Sequence, residues 1–163
     1  MDYQWIVLVH IVGAFIFVLS HGASVWMAML LRRERDRSRI GAMLEISQAS
    51  IGGVYVGLLL LLVGGIWAGI AGGHFARGWI WAALGLLVVI IVAMYAIATP
   101  FFGRLRDAVG GSAAQGRKTT DGSGPASDAD VAALAARAPV VPLLGAGGIG
   151  LLLILWLMVL KPF

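Results

Sequence analysis

Residues 79–99 read WIWAALGLLVVIIVAMYAIAT, a stretch without a single charged side chain. About 20 apolar residues, rising 1.5 Å each, cross the ~30 Å hydrocarbon core of a bilayer, so this stretch predicts a transmembrane helix. Three more stretches have the same character, at residues 6–31, 49–71 and 140–160. None shows the strict polar–apolar alternation that a membrane β-barrel requires. The sequence therefore predicts an all-α fold, an up-and-down bundle of four transmembrane helices in a single membrane domain, residues 1–163.

The composition agrees with a membrane protein and excludes several kinds of site. Hydrophobic residues make up 60% of the chain and charged residues 12%, about half the charged fraction of a typical soluble domain. The absence of cysteine excludes disulfides, thiolate metal sites and thiol nucleophiles. The net charge of +4 comes from residues that flank the spans. It therefore indicates contact with the anionic headgroups of the lipid bilayer, and no nucleic-acid partner is expected.

The distribution of basic residues predicts the orientation of the chain. One side of the membrane carries only Arg77 and Lys161. The loops on the other side carry the remaining ten: Arg32, Arg33, Arg35, Arg37, Arg39, Arg104, Arg106, Arg117, Lys118 and Arg137. Since cytoplasmic loops are enriched in Lys and Arg, both basic loops are expected in the cytoplasm and both termini outside, in a bacterial inner membrane.

The loops differ in length and composition. Residues 72–78 form a short connection, which predicts that spans 2 and 3 are antiparallel neighbours. Residues 103–138 form a long cytoplasmic loop, and its part 110–126 has the composition of a disordered linker. Ser127 with Asp130 is typical of a helix N-terminus and predicts a short helix from Asp128 to about Arg137. The mixed charges after span 1 predict a helical extension of that span.

Glycines recur along span 2 at multiples of four residues, interrupted only by Leu61: Gly53, Gly57, Gly65, Gly69 and Gly73. Such a stripe predicts close packing against another helix. The partner helix belongs to the same chain or to another copy, and the short connection to span 3 favours the same chain. A second glycine-rich run, residues 145–150, matches the dinucleotide fingerprint G-x-G-x-x-G. It lies inside a span without a preceding strand, so it also predicts helix packing.

Two histidines are the side chains inside the spans that ionise most readily near neutral pH. His10 and His21 are 11 residues apart on span 1, so they point within about 20° of each other and lie about 16 Å apart along the helix. Ionisable residues within a membrane are functional candidates by default. Tyr55 and Tyr95 fall at nearly the depth of His21, which predicts a polar cluster of these three side chains, with a structural hydrogen-bond network as the plainer interpretation.

His10 has two potential partners near the outer face, His74 in the short outer loop and Met158 on span 4. Histidine and methionine are both axial ligands of haem, so His10 with His74 or Met158 forms a candidate haem b site. No metal site is expected otherwise. The spans contain no Asp, Glu, Lys or Arg, which argues against a proton pump or an ion-coupled carrier.

Four segments carry a resemblance to a known family: residues 8–14 (LVHIVGA), 20–24 (SHGAS), 31–36 (LRRERD) and 77–82 (RGWIWA). With them the chain resembles an uncharacterised bacterial membrane family known as domain of unknown function 2269. More distantly it is similar to the copper-resistance D family and to HemJ-type protoporphyrinogen oxidases. In the oxidases a histidine of the first span is implicated in haem binding, and the resemblance maps it onto His10. The membrane lysine of those oxidases has no counterpart here.

Three functions follow from these observations. The first is a non-enzymatic membrane component that packs through its glycine-rich helices, with another membrane protein or a second copy as partner. The second is a haem b-binding protein of redox or tetrapyrrole chemistry that uses His10. The third is a transporter of a small neutral solute. No hydrolytic constellation is visible, so an enzyme is less expected than a non-enzyme.

Overall fold

The computed structural model describes residues 2–110 and 126–163. Its long helices are α1 (Tyr3–Leu31), α2 (Arg37–Ala71) and α3 (Gly78–Val109), with a 3-10 turn at His74–Ala76. The last part of the chain contains α4 (Asp128–Ala135), α5 (Val140–Leu143), a π-helical segment (Leu144–Ile149) and α6 (Gly150–Leu160). Within the described residues, four helical stretches are long and apolar enough to cross a membrane, the fourth being Asp128–Leu160. The predicted all-α fold with four membrane-spanning helices is confirmed.

α1 packs along α2 in antiparallel register. The contacting pairs are His10 with Gly64, Gly13 with Leu61, Phe17 with Gly57, Ser20 with Gly53 and Ser24 with Ser50. Steps of three and four residues alternate along α1, which is the 3.5-residue period of a left-handed helix pair. At Gly13, Gly57 and Gly64 a Cβ atom would lie within 3.0 Å of backbone atoms of the facing helix. The two backbones therefore touch, and we call this interface the α1–α2 seam.

The predicted glycine stripe of α2 winds from one neighbouring helix to another. At 3.6 residues per turn, each step of four residues advances about 40° beyond a full turn. Gly53 and Gly57 consequently face α1, whereas Gly69 faces Phe75 and Ile80 beside α3. Much of the stripe thus packs within the chain, as the short connection favours, but its main partner is α1 and not span 3.

Two positions around the stripe differ from the sequence expectation. Gly64, seven residues after Gly57, returns to the seam because seven residues are close to two full turns. Gly73 was expected on the stripe, but α2 ends at Ala71 and Gly73 adopts a φ of +64° in the turn that follows. No atom lies within 4 Å of its Cβ position, so Gly73 serves the turn and not helix packing.

The two basic loops, which are the arginine-rich segments of the chain, lie at one end of the molecule. We call it the basic end, and it has a hydrophobic core of its own. α2 with 35 residues and α3 with 32 are each about 50 Å long, so both extend beyond a ~30 Å hydrocarbon layer. Their ends pack with α1, α4 and α5 in the basic-end core: Val25, Ala28, Leu31, Ile40, Leu44, Phe102, Leu105, Val131, Ala135, Ala138, Val140 and Leu143. The cytoplasmic loop predicted at 103–138 is therefore partly helical and packed, while the predicted linker lies, at 111–125, outside the described residues.

Arg37 holds the basic-end core together. Its guanidinium donates to the carbonyls of Ala108 at 2.9 Å and Val109 at 3.3 Å, at the end of α3. It also donates to the carbonyl of Ala126 at 2.6 Å and pairs with Asp128 at 3.1 Å, at the start of α4. Arg37 thereby neutralises the carbonyl end of one helix and joins three helix ends.

Capping side chains determine where the helices of this region begin. The expected helical extension of span 1 is wrong, because α1 ends at Leu31 and Asp36 starts a new helix by accepting from the Arg39 N–H at 2.9 Å. The bonds from the Ser38 hydroxyl and that N–H hold the pKa of Asp36 below its ordinary value. At α4 the Ser127 hydroxyl accepts from the Asp130 N–H at 3.2 Å, and the helix ends at Ala135, short of Arg137.

The opposite end, the far end, has a smaller core between α3 and α6. Trp79, Ile80 and Ala83 bury themselves against Leu157, with Phe75 and Met158 packed alongside. The chain end closes this core, since the Trp79 N–H donates to the carbonyl of Phe163 at 3.2 Å. α3 and α6 thus form a second pair beside the seam.

Candidate functional site

His10 is fixed by the backbone of α2. Its Nδ1 lies 2.7 Å from the carbonyl oxygen of Leu61. Because a carbonyl only accepts, Nδ1 carries a proton, and in the neutral ring Nε2 then keeps its lone pair. Gly65 makes the bond geometrically feasible, since a Cβ there would lie 2.8 Å from that Nδ1. The ring therefore presents one defined nitrogen as a base or ligand.

A second polar link lies further along the seam towards the basic end. The Ser50 hydroxyl donates to the carbonyl of Ser47 at 2.7 Å. Its single proton is then used, so the Ser24 hydroxyl donates to Ser50 at 2.7 Å. The polar side chains on this face of α1 are thus directed largely at α2, where hydrogen bonds between helices stabilise the pair.

His21 is the polar group of this face that turns away from the seam. It follows Phe17 by four residues and stacks on that ring at 6.1 Å between centroids and 6° between planes. Its Nε2 is buried against Gly147 and has no hydrogen-bond partner among the described residues. Gly147 lies in the π-helical segment, where a Cβ would lie 3.1 Å from the His21 Cε1 and closer still to Nε2. Only a glycine leaves room for the ring in the position that it occupies here.

The predicted cluster of His21, Tyr55 and Tyr95 does not form. Tyr55 is 68% exposed and Tyr95 71%, and both face away from the bundle. Tyr55 follows Gly53 by two residues, about 200° around the helix from the seam. Tyr95 follows the buried Ile90 by five residues, about 140° from the face that packs on α6. The prediction rests on depth along each helix, whereas contact also depends on the rotation of each helix about its axis.

The three haem-ligand candidates are also held apart. His74 lies in the 3-10 turn, with its Nε2 3.3 Å from the Tyr3 hydroxyl and its ring 5.6 Å from that of Trp79. Tyr3 precedes His10 by seven residues, about 10 Å along α1. Met158 packs beside α3 in the far-end core. No hydrogen bond, ring contact or cavity within the described residues joins His10 to either one, so the described structure does not bring the three candidate ligands together.

The structure contains features that the sequence patterns did not indicate. An open cleft of about 510 Å³ at the far end is lined by Tyr3, Ile6, Trp67, Ala71, Gly72 and His74. The indole Nε1 of Trp79 is buried without a partner among the described residues. The π-helical segment is the third feature, and such segments often mark functional sites because they disturb the regular hydrogen-bond ladder. The run of glycines at 145–150 was its only signal in the sequence.

The groups with potential chemical function along α1 are the imidazoles of His10 and His21. Within the described ranges no group of three or more His, Cys, Asp or Glu side chains could hold a metal ion. His10 Nε2 and His21 Nε2 each present a single nitrogen on α1, one beside the seam and one against the π-helical segment. Comparisons with protein-family models, curated proteins and solved structures find no match to this chain.

Proposed function

We propose that this protein is a non-enzymatic, multi-pass component of a bacterial inner membrane. The observation that carries the proposal is that polar side chains of α1 form hydrogen bonds to α2. His10 bonds to Leu61 and Ser24 bonds to Ser50, so the functional candidate His10 and a serine pair hold two helices together. In lipid such bonds are helix-packing contacts, because an unpaired polar group costs free energy there.

The proposal includes a larger assembly as the setting of this component. Many large apolar side chains, such as Phe15, Leu19 and Val92, are more than 60% exposed, so they contact either lipid or a partner helix. Blue-native electrophoresis of mildly solubilised membranes tests this point. We expect a particle larger than the 17.1 kDa chain with its detergent belt. Migration as a single chain contradicts the assembly.

We also propose that both termini lie outside the cell. The two arginine-rich segments, which are separate in sequence, come together at one end of the bundle around Arg37. The positive-inside rule then directs that end to the cytoplasm. A periplasmic reporter fused after Phe163 should be active, whereas activity of a cytoplasmic reporter there would reverse the orientation.

Membership of the family called domain of unknown function 2269 stays part of the proposal. It is supported by the segments that carry the resemblance, of which 8–14 contains His10 and 20–24 contains His21. In the structure both histidines belong to the interior side of α1.

One observation favours a second candidate, haem b binding at His10. Histidines that bind metals commonly donate their other N–H to a backbone carbonyl, and the bond from Nδ1 to Leu61 has this form. No hydrogen bond or ring contact joins His74 or Met158 to His10 within the described residues, so this candidate is supported by His10 alone.

Absorbance separates the two candidates. The protein is expressed with ample haem, purified, and compared with His10→Ala and, as a matched control, His74→Ala. For the non-enzymatic component we expect the aromatic band near 280 nm and no Soret band. A stoichiometric Soret band that disappears in His10→Ala and persists in His74→Ala establishes the haem protein instead.

A further inference from the structure

Two arginines at the basic end are not used by the fold. Arg35 donates to the carbonyl of Ala132 at 3.4 Å, Arg37 joins three helix ends, and Arg39 lies 3.8 Å from Glu34. Arg32 and Arg33 are both exposed, and no hydrogen bond or ion pair engages their guanidinium groups within residues 2–110 and 126–163. Their charge is therefore available to a ligand.

These two arginines line the same cleft. It has a volume of about 530 Å³ and lies between the end of α1 and the start of α5, and its lining consists of Trp26, Met29, Leu30, Arg32, Arg33 and Val140. Met29, Leu30 and Val140 give it an apolar wall, and the Trp26 side chain beside them is 60% exposed. Glu34, the nearest acid in sequence, does not line the cleft, because its carboxylate accepts from the N–H groups of Arg35 and Asp36. The cleft is thus cationic on one side and apolar on the other.

We propose that this cleft binds one anionic phospholipid of the bilayer. Guanidinium groups bind phosphate through paired N–H donors, and tryptophan prefers the level of the lipid headgroups. Arg32 and Arg33 hold the phosphate, while the first methylenes of an acyl chain cover Met29, Leu30 and Val140. A free phosphate ion would leave this apolar wall exposed to water, which favours a lipid as the occupant. Basic pockets beside membrane helices commonly hold anionic headgroups.

Native mass spectrometry of the detergent-purified full chain tests the site, with phosphatidylglycerol and phosphatidylcholine as probes. Each arginine near a membrane surface contributes about 1 kcal/mol, so Arg32→Gln with Arg33→Gln should weaken phosphatidylglycerol binding about thirty-fold. The matched control, Arg104→Gln with Arg137→Gln, removes the same charge from exposed arginines at the same end that do not line the cleft. Leu30→Trp fills the cleft without changing charge and should weaken binding as well.

The proposal is supported if one phosphatidylglycerol binds per chain, survives the control substitutions and is lost in the other two variants. Equal loss in both arginine pairs would show a general surface-charge effect and overturn it. Equal binding of phosphatidylcholine, or displacement of the lipid by excess glycerol phosphate, would also overturn it, the latter in favour of a free-phosphate site. If the Arg32/Arg33 variant does not fold, unchanged binding in Leu30→Trp is sufficient to reject the site.

Discussion

The two helix pairs of this bundle are held by different means. In the α1–α2 seam the backbones touch at glycines, and hydrogen bonds cross from His10 and Ser24. In the α3–α6 pair the contact is made by side chains, such as Ile90 over Gly150 and Trp79 in the far-end core. Backbone contact tolerates no added atom, whereas side chains can rotate to new positions. The seam should therefore be the most sensitive part of the fold, and the junctions between the pairs the next.

The largest effect is expected from Gly57→Leu. Its Cβ would lie 2.8 Å from the Cα of Phe17, and a backbone atom cannot rotate away. We expect a loss of about 3 kcal/mol in the free energy of unfolding, the upper end for overpacking. Denaturant unfolding in micelles, followed by circular dichroism, measures it. Gly52→Leu is the control, because no atom lies within 4 Å of that Cβ position; equal losses in the two variants would mean that the seam is not a special contact.

The next effect concerns the junction at the basic end. Arg37→Ala removes the hydrogen bonds to two carbonyls of α3 and to the carbonyl of Ala126. It also removes the ion pair with Asp128. Hydrogen bonds of charged groups contribute about 1.5–3 kcal/mol, so we expect a loss of about 2 kcal/mol. Arg39→Ala should change stability by less than about 0.5 kcal/mol, since that side chain is 74% exposed. Thermal unfolding of both variants compares them, and a similar shift would refute the role given to Arg37.

A smaller effect is expected where α1 meets the π-helical segment. Gly147→Ala places a methyl group against the His21 ring, which can shift, so we expect a loss of about 1–2 kcal/mol. Gly148→Ala meets no atom within 4 Å and serves as the control. A double-mutant cycle with His21→Ala should show coupling between positions 21 and 147. Additive losses would indicate that the alanine perturbs the helix itself and not its contact with His21.

The smallest effect is expected for Ser24→Ala. It removes one hydrogen bond of the seam, and such bonds within membranes average about 0.6 kcal/mol. Ser20→Ala, on the same seam but without a hydrogen bond in the described structure, should cost less. Steric trapping or denaturant titration resolves such differences, and a larger loss for Ser20→Ala would contradict the importance of the Ser24–Ser50 link.

Hydropathy was sufficient to predict the four spans, because the bilayer fixes both the length and the composition of a crossing helix. It could not predict which helices pair, because the spans predicted at 6–31 and 49–71 leave a long connection between them, whereas α2 begins already at Arg37. The basic-end core was also not visible, because Ile40, Leu105 and Val131 stand among charged residues that suggest a solvated loop. At the candidate site, counting residues along a helix estimates the depth of a side chain. Whether Tyr55 and Tyr95 reach His21 depends also on the rotation of each helix about its axis, which the sequence does not give.

The seam also bears on how the chain is made. Only residues 32–36 separate α1 from α2, and these two helices, which are synthesised before α3, are the two that fit backbone against backbone. This hairpin can close in the membrane while α3 is still being synthesised, because the hydrogen bonds that cross the seam, from His10 and Ser24, require no later residue. The later helices then pack against a hairpin that is already formed. The helices therefore assemble in the order in which they are synthesised.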